Sequence, residues 1–578
     1  MYRLLLLFLS LSLTLSAQQG APAKEFPIEE LPKILQALLE QHNGNGSIDE
    51  DLAIASNGHF FALFDPNKIY LLQKEVSPFI QKGEATDFAQ RLQNSSFSTY
   101  FEMLEICQKA LRRAQKIRRR PYPENRLPHF ETYASNEDEL KSRLSLLPEA
   151  PLDHEKLWLS LSPTGKTSPK LARLILKSIV ATFDMHSKVL DKQQARSLRE
   201  RLTKEGFGTG IEAKRANSSW KIDRITKGSP ADQVGVLEQN DTLLSINHRS
   251  CSTMSREEID EHLHGDKEKT VHLKIGRGNT TLSTSVPSKL YAILDGRVSL
   301  ERRSTAQGAI AVISIPSLYR GSTVSTENDM QKGIERAEIK GGLSGLILDL
   351  RGNPGGYISE AADVVGLFVS TGVVASALYQ DKTEWVFRDH DPKVIYRGPI
   401  VVLISHTTAS SAEVVAQALA DYGKAIIVGD AQSCGKGTVQ MQTVTRSSGE
   451  ALPMKMTVGK MYTVSGHSLH GKGVSADIAI SDQLPRPLKK EAKDDIAPRF
   501  NDRLHDLEKQ RLPWYTKNYL PYLQRPTKKY RTLLPQLQRE RERRSKRPSA
   551  LYFQTEDQDR QLEEAVLILQ DLIRLSKQ

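Results

Sequence analysis

The chain contains 578 residues, more than a single hydrophobic core usually supports, which predicts several domains. Hydrophobic residues make up 39% and charged residues 26%, a globular composition that excludes a chain dominated by disorder. The three cysteines, Cys107, Cys251 and Cys434, are too few and too widely spaced for a disulfide framework or a zinc site.

The first residues predict an export signal. An apolar run from Leu4 to Leu15 follows Arg3, and small residues end at Ala17. Because the run is short for a membrane span, it favours a cleaved signal peptide over residues 1–17, with an uncleaved anchor as the alternative. We therefore expect an exported protein.

The formal net charge of +11 raises the question of nucleic-acid binding. Much of the excess lies in two basic stretches near residues 115 and 543, and a mixed Arg/Glu run such as the second is typical of a solvated helix face. An export signal argues against nucleic acid as a partner. An acidic partner or peripheral association with a membrane surface stays open.

Four segments with different patterns follow the leader. Apolar residues at three-to-four spacing predict a helical domain over 24–200. Short β-branched runs and turns predict a β-rich module over 201–290. Buried-strand runs alternating with helices predict an α/β domain over 291–484, with strands apolar enough to be covered on both faces. Residues 485–578 are charged and predict helices with a basic surface.

The stretch "HTTASSAEVVAQALADYGKAIIVGDAQSCGKGTVQ", 406–440, admits three interpretations. Ser410 with Glu413 three residues later matches a capping box before a helix over 413–420, and on that pattern alone a cap outweighs a catalytic serine. A phosphate loop is disfavoured because the glycine spacing is wrong, Gly437 replaces the required hydroxyl, and a strand follows.

The third interpretation joins both ends of the stretch into a catalytic site. A serine at a helix N-terminus lies where the helix dipole favours an oxyanion, and Lys436 can serve as its base if an apolar site lowers the lysine pKa. Gln440 follows in a predicted strand on the same face and can hold the amine. A histidine base is disfavoured, because His406 is too close in sequence and the histidines His390, His467 and His470 lie in polar loops.

These motifs resemble those of the carboxyl-terminal processing proteases, the tail-specific Ser/Lys peptidases, over nearly the whole chain. The family pattern Ser-Ala-Ser-Ala-Ser-Glu, Asp-Tyr-Gly and Gly-Lys-Gly-x-x-Gln is matched by "TASSAE", "DYGKAIIVGD" and "GKGTVQ". The resemblance implies Ser410 as nucleophile, Lys436 as base and Gln440 as its orienting residue. It also implies the backbone N–H groups of Gly356, in "LDLRGNPGG", and Ser411 as oxyanion donors.

Two helical segments, "NKIYLLQKEV" and "ATFDMHSKVL", resemble signatures of the long periplasmic members, with the chlamydial-type proteases nearest. The module from Gly206 to Pro287 resembles a PDZ domain. Such a loop binds a peptide carboxylate while the peptide adds a strand to the sheet edge; the alternative is a domain that only packs against the protease. The resemblance places the carboxylate-binding loop at Phe207, Gly208, Thr209, Gly210 and Ile211.

Two departures from the family pattern affect the site. Lys436 follows Ser410 by 26 positions, one more than usual, and Ser411 stands where alanine is common, which makes it the alternative nucleophile. The resemblance implies a crotonase-like (ClpP/crotonase-type) protease core in a multidomain α/β chain, with a PDZ domain and helical N- and C-terminal domains.

The function implied is that of a periplasmic serine endopeptidase that selects unfolded or precursor proteins by apolar C-terminal tails. No metal or nucleotide cofactor is required, and a homodimer stays open. The alternative is an inactive, peptide-binding PDZ scaffold.

Overall fold

The computed structural model describes most of the chain outside the termini and a few internal segments. The predicted export signal over 1–17 and much of the charged region over 485–578 lie outside the described residues. Within the described part, no helix is both long and apolar enough to cross a bilayer. The described ranges are 26–44, 48–82, 86–117, 127–147, 152–216, 219–264, 268–441, 444–447, 450–480, 530–545 and 559–578.

The N-terminal region is helical, as the three-to-four spacing of its apolar residues predicts. Its core is aromatic: Trp158 meets the rings of Phe60 and Phe64 edge to face. Its helices are α1 (Leu31–Gln41), α2 (Glu50–Phe64), α3 (Gln73–Ile80), α4 (Thr86–Gln93), α5 (Ser98–Ile117), α6 (Glu137–Leu144), α7 (Asp153–Ser160) and α8 (Ser168–Val180).

The chain leaves α8 through a turn at 181–187, and this turn reaches the α/β domain. The short strand β1 (Lys188–Val189) then pairs antiparallel with residues 454 and 455 of that domain. Helix α9 (Lys192–Thr203) follows and leads into the β-rich module. The N-terminal region is thereby joined to the α/β domain by backbone pairing.

The β-rich module is an antiparallel sheet with two α-helices in the described residues. The elements are β2 (Glu205–Gly208), β3 (Ile211–Ala216), β4 (Ser219–Ile225), α10 (Pro230–Val234), β5 (Thr242–Ile246), β6 (Arg249–Ser250), α11 (Arg256–His264), β7 (Lys269–Arg277) and β8 (Thr280–Ala292). The strands follow the order β2-β8-β7-β5-β4-β3, with β6 on β5. Strand β3 is an edge strand, and helix α11 packs beside it.

The described residues of the α/β domain form two sheets. The elements are β9 (Ser299–Thr305), β10 (Gly308–Ser314), α12 (Thr326–Ile339), β11 (Gly345–Asp349), α13 (Ile358–Gly366), β12 (Gly372–Tyr379), β13 (Glu384–Asp389), β14 (Ile400–Ile404), α14 (Ser411–Asp421), β15 (Ala425–Gly429), β16 (Thr438–Met441), β17 (Val444–Ser447), β18 (Glu450–Thr463) and β19 (Ile478–Ala479). The central sheet has the order β19-β15-β14-β11-β10-β9, parallel except for β9, and β18 is the long strand of the second sheet.

Alternate residues of the central strands face two separate apolar cores. Leu348 and Val402 belong to the core that includes α13 and α14. Ile347 and Val401 face the opposite side, where Leu569 and its neighbours cover them. The covering elements are the C-terminal helices α15 (Leu534–Ser545) and α16 (Arg560–Ser576). The prediction that these strands are covered on both faces is therefore confirmed, and so is the α/β class.

Candidate active site

Three loops meet at one edge of the central sheet, because the carboxyl ends of parallel strands lie together. They follow β11, β14 and β15. Thr408, after β14, joins them: its Oγ1 donates to Leu350 O at 2.8 Å, and its carbonyl accepts the Cys434 N–H at 3.0 Å. Ala409 N–H donates to Asn353 O at 2.9 Å. These contacts hold the serine, lysine and glycine-rich segments in fixed register.

Ser410 lies at the N-terminus of α14 in a backbone conformation that side-chain-bearing residues rarely adopt, with φ 58° and ψ −128°. Its side chain makes no capping hydrogen bond to the helix. The expected capping box is thus only half formed: the Glu413 carboxylate accepts the Ser410 N–H at 2.7 Å. Strain of this kind is concentrated at functional sites, and here it frees the hydroxyl from a structural role.

Lys436 faces Ser410. Its Nζ lies 3.4 Å from Ser410 Oγ and also contacts Gln440 Oε1. Burial, with the positive charge of Lys455 nearby, lowers the pKa of Lys436 to about 8, although the negative charges of Glu413 and other groups oppose the shift. A substantial fraction of this amine is therefore neutral near pH 8 and able to accept a proton.

Gln440 is oriented by two threonine hydroxyls. Its Nε2 donates to Thr438 Oγ1 at 2.7 Å and to Thr457 Oγ1 at 3.2 Å. Because both contacts engage the amide nitrogen, the amide oxygen faces Lys436. The Gln440 amide oxygen therefore accepts a hydrogen bond from the Lys436 amine and holds the amine in position.

Glu413 connects Ser410 to the loop of Lys436, a role that the sequence did not indicate beyond a local cap. Its side chain is fully buried, and its carboxylate accepts the N–H groups of Gly435 at 2.7 Å and Lys436 at 2.9 Å besides that of Ser410. Ser433 Oγ donates to it at 2.5 Å. Burial raises the pKa of Glu413, and these four donors oppose that shift. One carboxylate thus fixes the distance between both loops.

The glycine-rich turn after β11 lies directly against Ser410. A Cβ on Gly355 would come within 2.8 Å of Ser410 Cβ and 3.1 Å of Ser411 N, and a Cβ on Gly356 would come within 1.8 Å of Leu318 O. Side chains are excluded here, so the backbone approaches the serine closely. In the part of the chain that the structure describes, neither the Gly356 nor the Ser411 N–H donates to a protein acceptor. Within that part, neither N–H is therefore engaged by a protein group that would compete with a bound oxyanion.

Ser411 and His406, the alternatives considered for nucleophile and base, point elsewhere. Ser411 Oγ is fully buried and has no hydrogen-bond partner among the described residues. His406 Nδ1 contacts Asp430 Oδ2 at 2.9 Å rather than Ser410. The geometry therefore favours Ser410 with Lys436.

The expected carboxylate-binding loop packs against the end of α11. Thr209 is fully buried, and its N–H and Oγ1 both donate to Leu263 O, at 2.9 and 3.0 Å. Phe207 and Gly208 belong to β2, and a Cβ on Gly208 would come within 2.7 Å of that same carbonyl. Gly210 and Ile211 are buried in the module. The Thr209 N–H is thus engaged by the Leu263 carbonyl of the helix. A peptide carboxylate that binds this N–H has to displace that carbonyl oxygen.

Three family models match the chain in the order of these regions. The Tail specific protease N-terminal domain matches residues 34–145, the PDZ domain matches 197–276, and Peptidase family S41 matches 309–480. The last range contains all of the residues that meet around Ser410.

Curated relatives agree with these matches. A probable CtpA-like serine protease of Staphylococcus aureus is 29% identical over 318 residues, which make up 54% of this chain and 61% of that protein, so less than two thirds of its length is spanned. A tail-specific protease of Haemophilus influenzae is 25% identical over 507 residues, 80% of this chain and 71% of the relative.

Solved structures with partial similarity include a photosystem II D1 C-terminal processing protease, with 21% identity, a TM-score of 0.34, and coverage of 63% of this chain and 93% of that one. Mature CPAF complexed with lactacystin has 13% identity, a TM-score of 0.29, and coverage of 60% and 89%. The family matches confirm the resemblance drawn from the motifs: this chain is a homologue of the tail-specific proteases and carries a peptidase family S41 domain together with a PDZ domain and a tail-specific protease N-terminal domain.

Proposed function

We propose that the protein is an exported serine endopeptidase in which Ser410 and Lys436 form the catalytic dyad. The observation that carries the proposal is the position of the Lys436 amine, which lies 3.4 Å from Ser410 Oγ in a buried site that lowers its pKa to about 8. A lysine with an ordinary pKa would be protonated at neutral pH and could not take a proton from serine.

The reaction uses these groups in two steps. Neutral Lys436 takes the Ser410 proton as Oγ attacks the scissile carbonyl, and the N–H groups of Gly356 and Ser411 stabilise the oxyanion. The ammonium then gives its proton to the leaving amine, which leaves an acyl-enzyme on Ser410. Water, deprotonated by Lys436, attacks that ester, and the serine recovers its proton.

Substrate selection is assigned to the PDZ domain. Strand β3 is an edge strand with α11 beside it, the arrangement in which a peptide adds a strand to the sheet. Together with the family resemblance, this favours unfolded or precursor proteins with apolar C-terminal tails. A periplasmic location follows from the export signal and the resemblance to periplasmic members, and the crotonase-like layout of the core stays a prediction of that resemblance.

The mechanism needs no metal or nucleotide. The rival function, an inactive PDZ scaffold, requires a disabled dyad, whereas the serine, lysine and glutamine are all in place. The sequence relatives give the rival no support.

Cleavage of an unfolded test protein such as fluorescein-labelled casein tests the proposal. Ser410→Ala and Lys436→Ala should each abolish cleavage by the full chain, whereas Ser411→Ala should keep measurable activity because its hydroxyl is buried away from the amine. Wild-type activity in Lys436→Ala, or loss of activity only in Ser411→Ala, would contradict the dyad.

A further inference from the structure

We propose that Asp184, in the turn after α8, is a positioning residue for the catalytic base, acting on Lys436 through Thr457 and Gln440. The inference rests on the proposed function and extends it to a residue outside the family S41 match. The buried polar connection between the N-terminal region and the second sheet carries the proposal.

The Asp184 carboxylate is almost completely buried. It accepts hydrogen bonds from its own turn and from the residue that follows α1. His42 Nε2 lies 2.8 Å from Oδ2, and the N–H groups of His186 and Ser187 donate to Oδ1 at 2.6 and 3.0 Å. Burial alone raises a carboxyl pKa, but the hydrogen bonds from His42 and Ser187 outweigh it and keep the pKa of Asp184 below its ordinary value. Asp184 is therefore an anion and can only accept hydrogen bonds.

The Asp184 anion determines which group donates and which accepts in each hydrogen bond of the path from Asp184 to Lys436. Thr457 Oγ1 donates to Asp184 Oδ1 at 3.0 Å, so its single proton is used and its lone pairs are left to accept. It accepts from Gln440 Nε2 at 3.2 Å, which turns the Gln440 carbonyl oxygen toward Lys436. The carbonyl oxygen accepts a hydrogen bond from the Lys436 amine, and the lone pair of neutral Lys436 is then directed to Ser410.

The same strand position is fixed by backbone contacts from the N-terminal region. Asn43 N–H donates to Thr457 O at 3.0 Å, and Thr457 N–H donates to Ser187 Oγ at 3.0 Å. Strand β1 pairs with the adjacent residues of β18. Thr457 is thus held on its backbone and its side chain by a region more than two hundred residues away in sequence.

The charged groups around the Lys436 amine shift its pKa, and this shift gives a second measurable effect of Asp184. Lys455 on β18 lowers the pKa of Lys436, while Glu413 on α14, Cys434 in the lysine's own loop and Asp184 raise it. His186, beside Asp184, is half-buried, and this desolvation with the nearby Lys436 charge lowers its pKa to about 4, so it is neutral at the pH of the reaction. Loss of the Asp184 charge should therefore lower the pKa of Lys436.

Thr457→Val tests the hydrogen-bond path, because valine keeps the branched shape and removes the hydroxyl. We expect kcat to fall roughly tenfold with KM within about twofold, the effect of losing one hydrogen bond to a group at the reaction centre. Thr457→Ser should restore kcat. Thr463→Val, a buried threonine of the same strand whose hydroxyl faces Ser465, is the matched control and should leave kcat unchanged.

Asp184→Asn tests the charge through the pH profile of kcat/KM for the full chain. We expect the acid limb to move to lower pH and the plateau to fall. If Asp184→Asn does not fold, the comparison of Thr457→Val with Thr457→Ser tests the proposal by itself. The proposal is overturned if both Thr457→Val and Asp184→Asn keep the wild-type kcat and profile, or if Thr457→Ser fails to restore kcat. Failure of the proposed function is distinct, since the wild type would then cleave no better than Ser410→Ala.

Discussion

In the proposed mechanism Lys436 sets the working pH of the site, since only its neutral form can accept the serine proton. With a pKa of about 8, roughly a tenth of the amine is neutral at pH 7. Activity should therefore rise with pH and level off above the lysine pKa. The rise is expected at higher pH than with a histidine base, because an ordinary histidine has a pKa of about 6.5.

Removal of Lys455 should shift this dependence, because its positive charge disfavours a second charge on Lys436. We expect the acid limb of kcat/KM in Lys455→Met to move to higher pH, so that activity falls at pH 7 and recovers near pH 9. A pH series on labelled casein measures it. An acid limb that moves to lower pH would contradict the assignment of Lys436 as base.

The meeting of Ser410, Lys436 and Gln440 could be predicted from sequence because their spacing is local: they lie in one stretch and match a specific motif. Asp184 and Thr457 could not, since their contact spans 273 positions and depends on how two domains meet. Glu413 was expected only as a local cap, because the loop that brings Gly435 and Lys436 to its carboxylate is set by tertiary packing.

Helix α16 is the element that closes the second face of the central sheet. A Cβ on Gly345 would come within 2.8 Å of Leu569 Cδ1, so the helix contacts the strands directly. The salt bridges Arg303–Glu563 and Arg351–Asp559 tie it to β9 and to the turn before Gly355. Periodicity indicates which face of such a helix is apolar but not which surface it covers, so the sequence predicted the helix and the two-sided sheet without their contact.

Leu569→Ala should therefore destabilise the core although it lies far from the site in sequence. Leu569 is fully buried, and truncation of a buried leucine costs about 2–5 kcal/mol. Urea unfolding of the full chain measures the loss, with Lys577→Ala, an exposed residue after the same helix, as the control expected within about 0.5 kcal/mol. An equal, small effect of both substitutions would show that α16 does not cover the sheet in solution.

At the scale of the whole molecule, the proposed function divides tail recognition and cleavage between separate domains. A tail carboxylate that takes the Thr209 N–H must displace Leu263 O, so binding loosens the end of α11 from the loop. Charge-assisted hydrogen bonds contribute about 1.5–3 kcal/mol. The free carboxylate should thus dominate recognition despite that exchange.

An amidated peptide tests this recognition. For the full-length Ser410→Ala chain, we expect a peptide ending in three apolar residues to bind roughly tenfold more tightly than its C-terminal amide, measured by fluorescence anisotropy. A peptide with the same composition and an acidic tail is the control. Equal affinity of the acid and the amide would favour the alternative in which the PDZ domain only packs against the protease.

The position of α16 in the chain has a consequence for biosynthesis. Every strand of the central sheet precedes α16, so during synthesis the strands are made before the helix that shields the second face of the sheet. Until then Ile347, Val401 and their neighbours on that face are open to water and to other chains. We therefore expect the central sheet to become stable only after α16 has been made and, under the proposed function, proteolytic activity to appear no earlier.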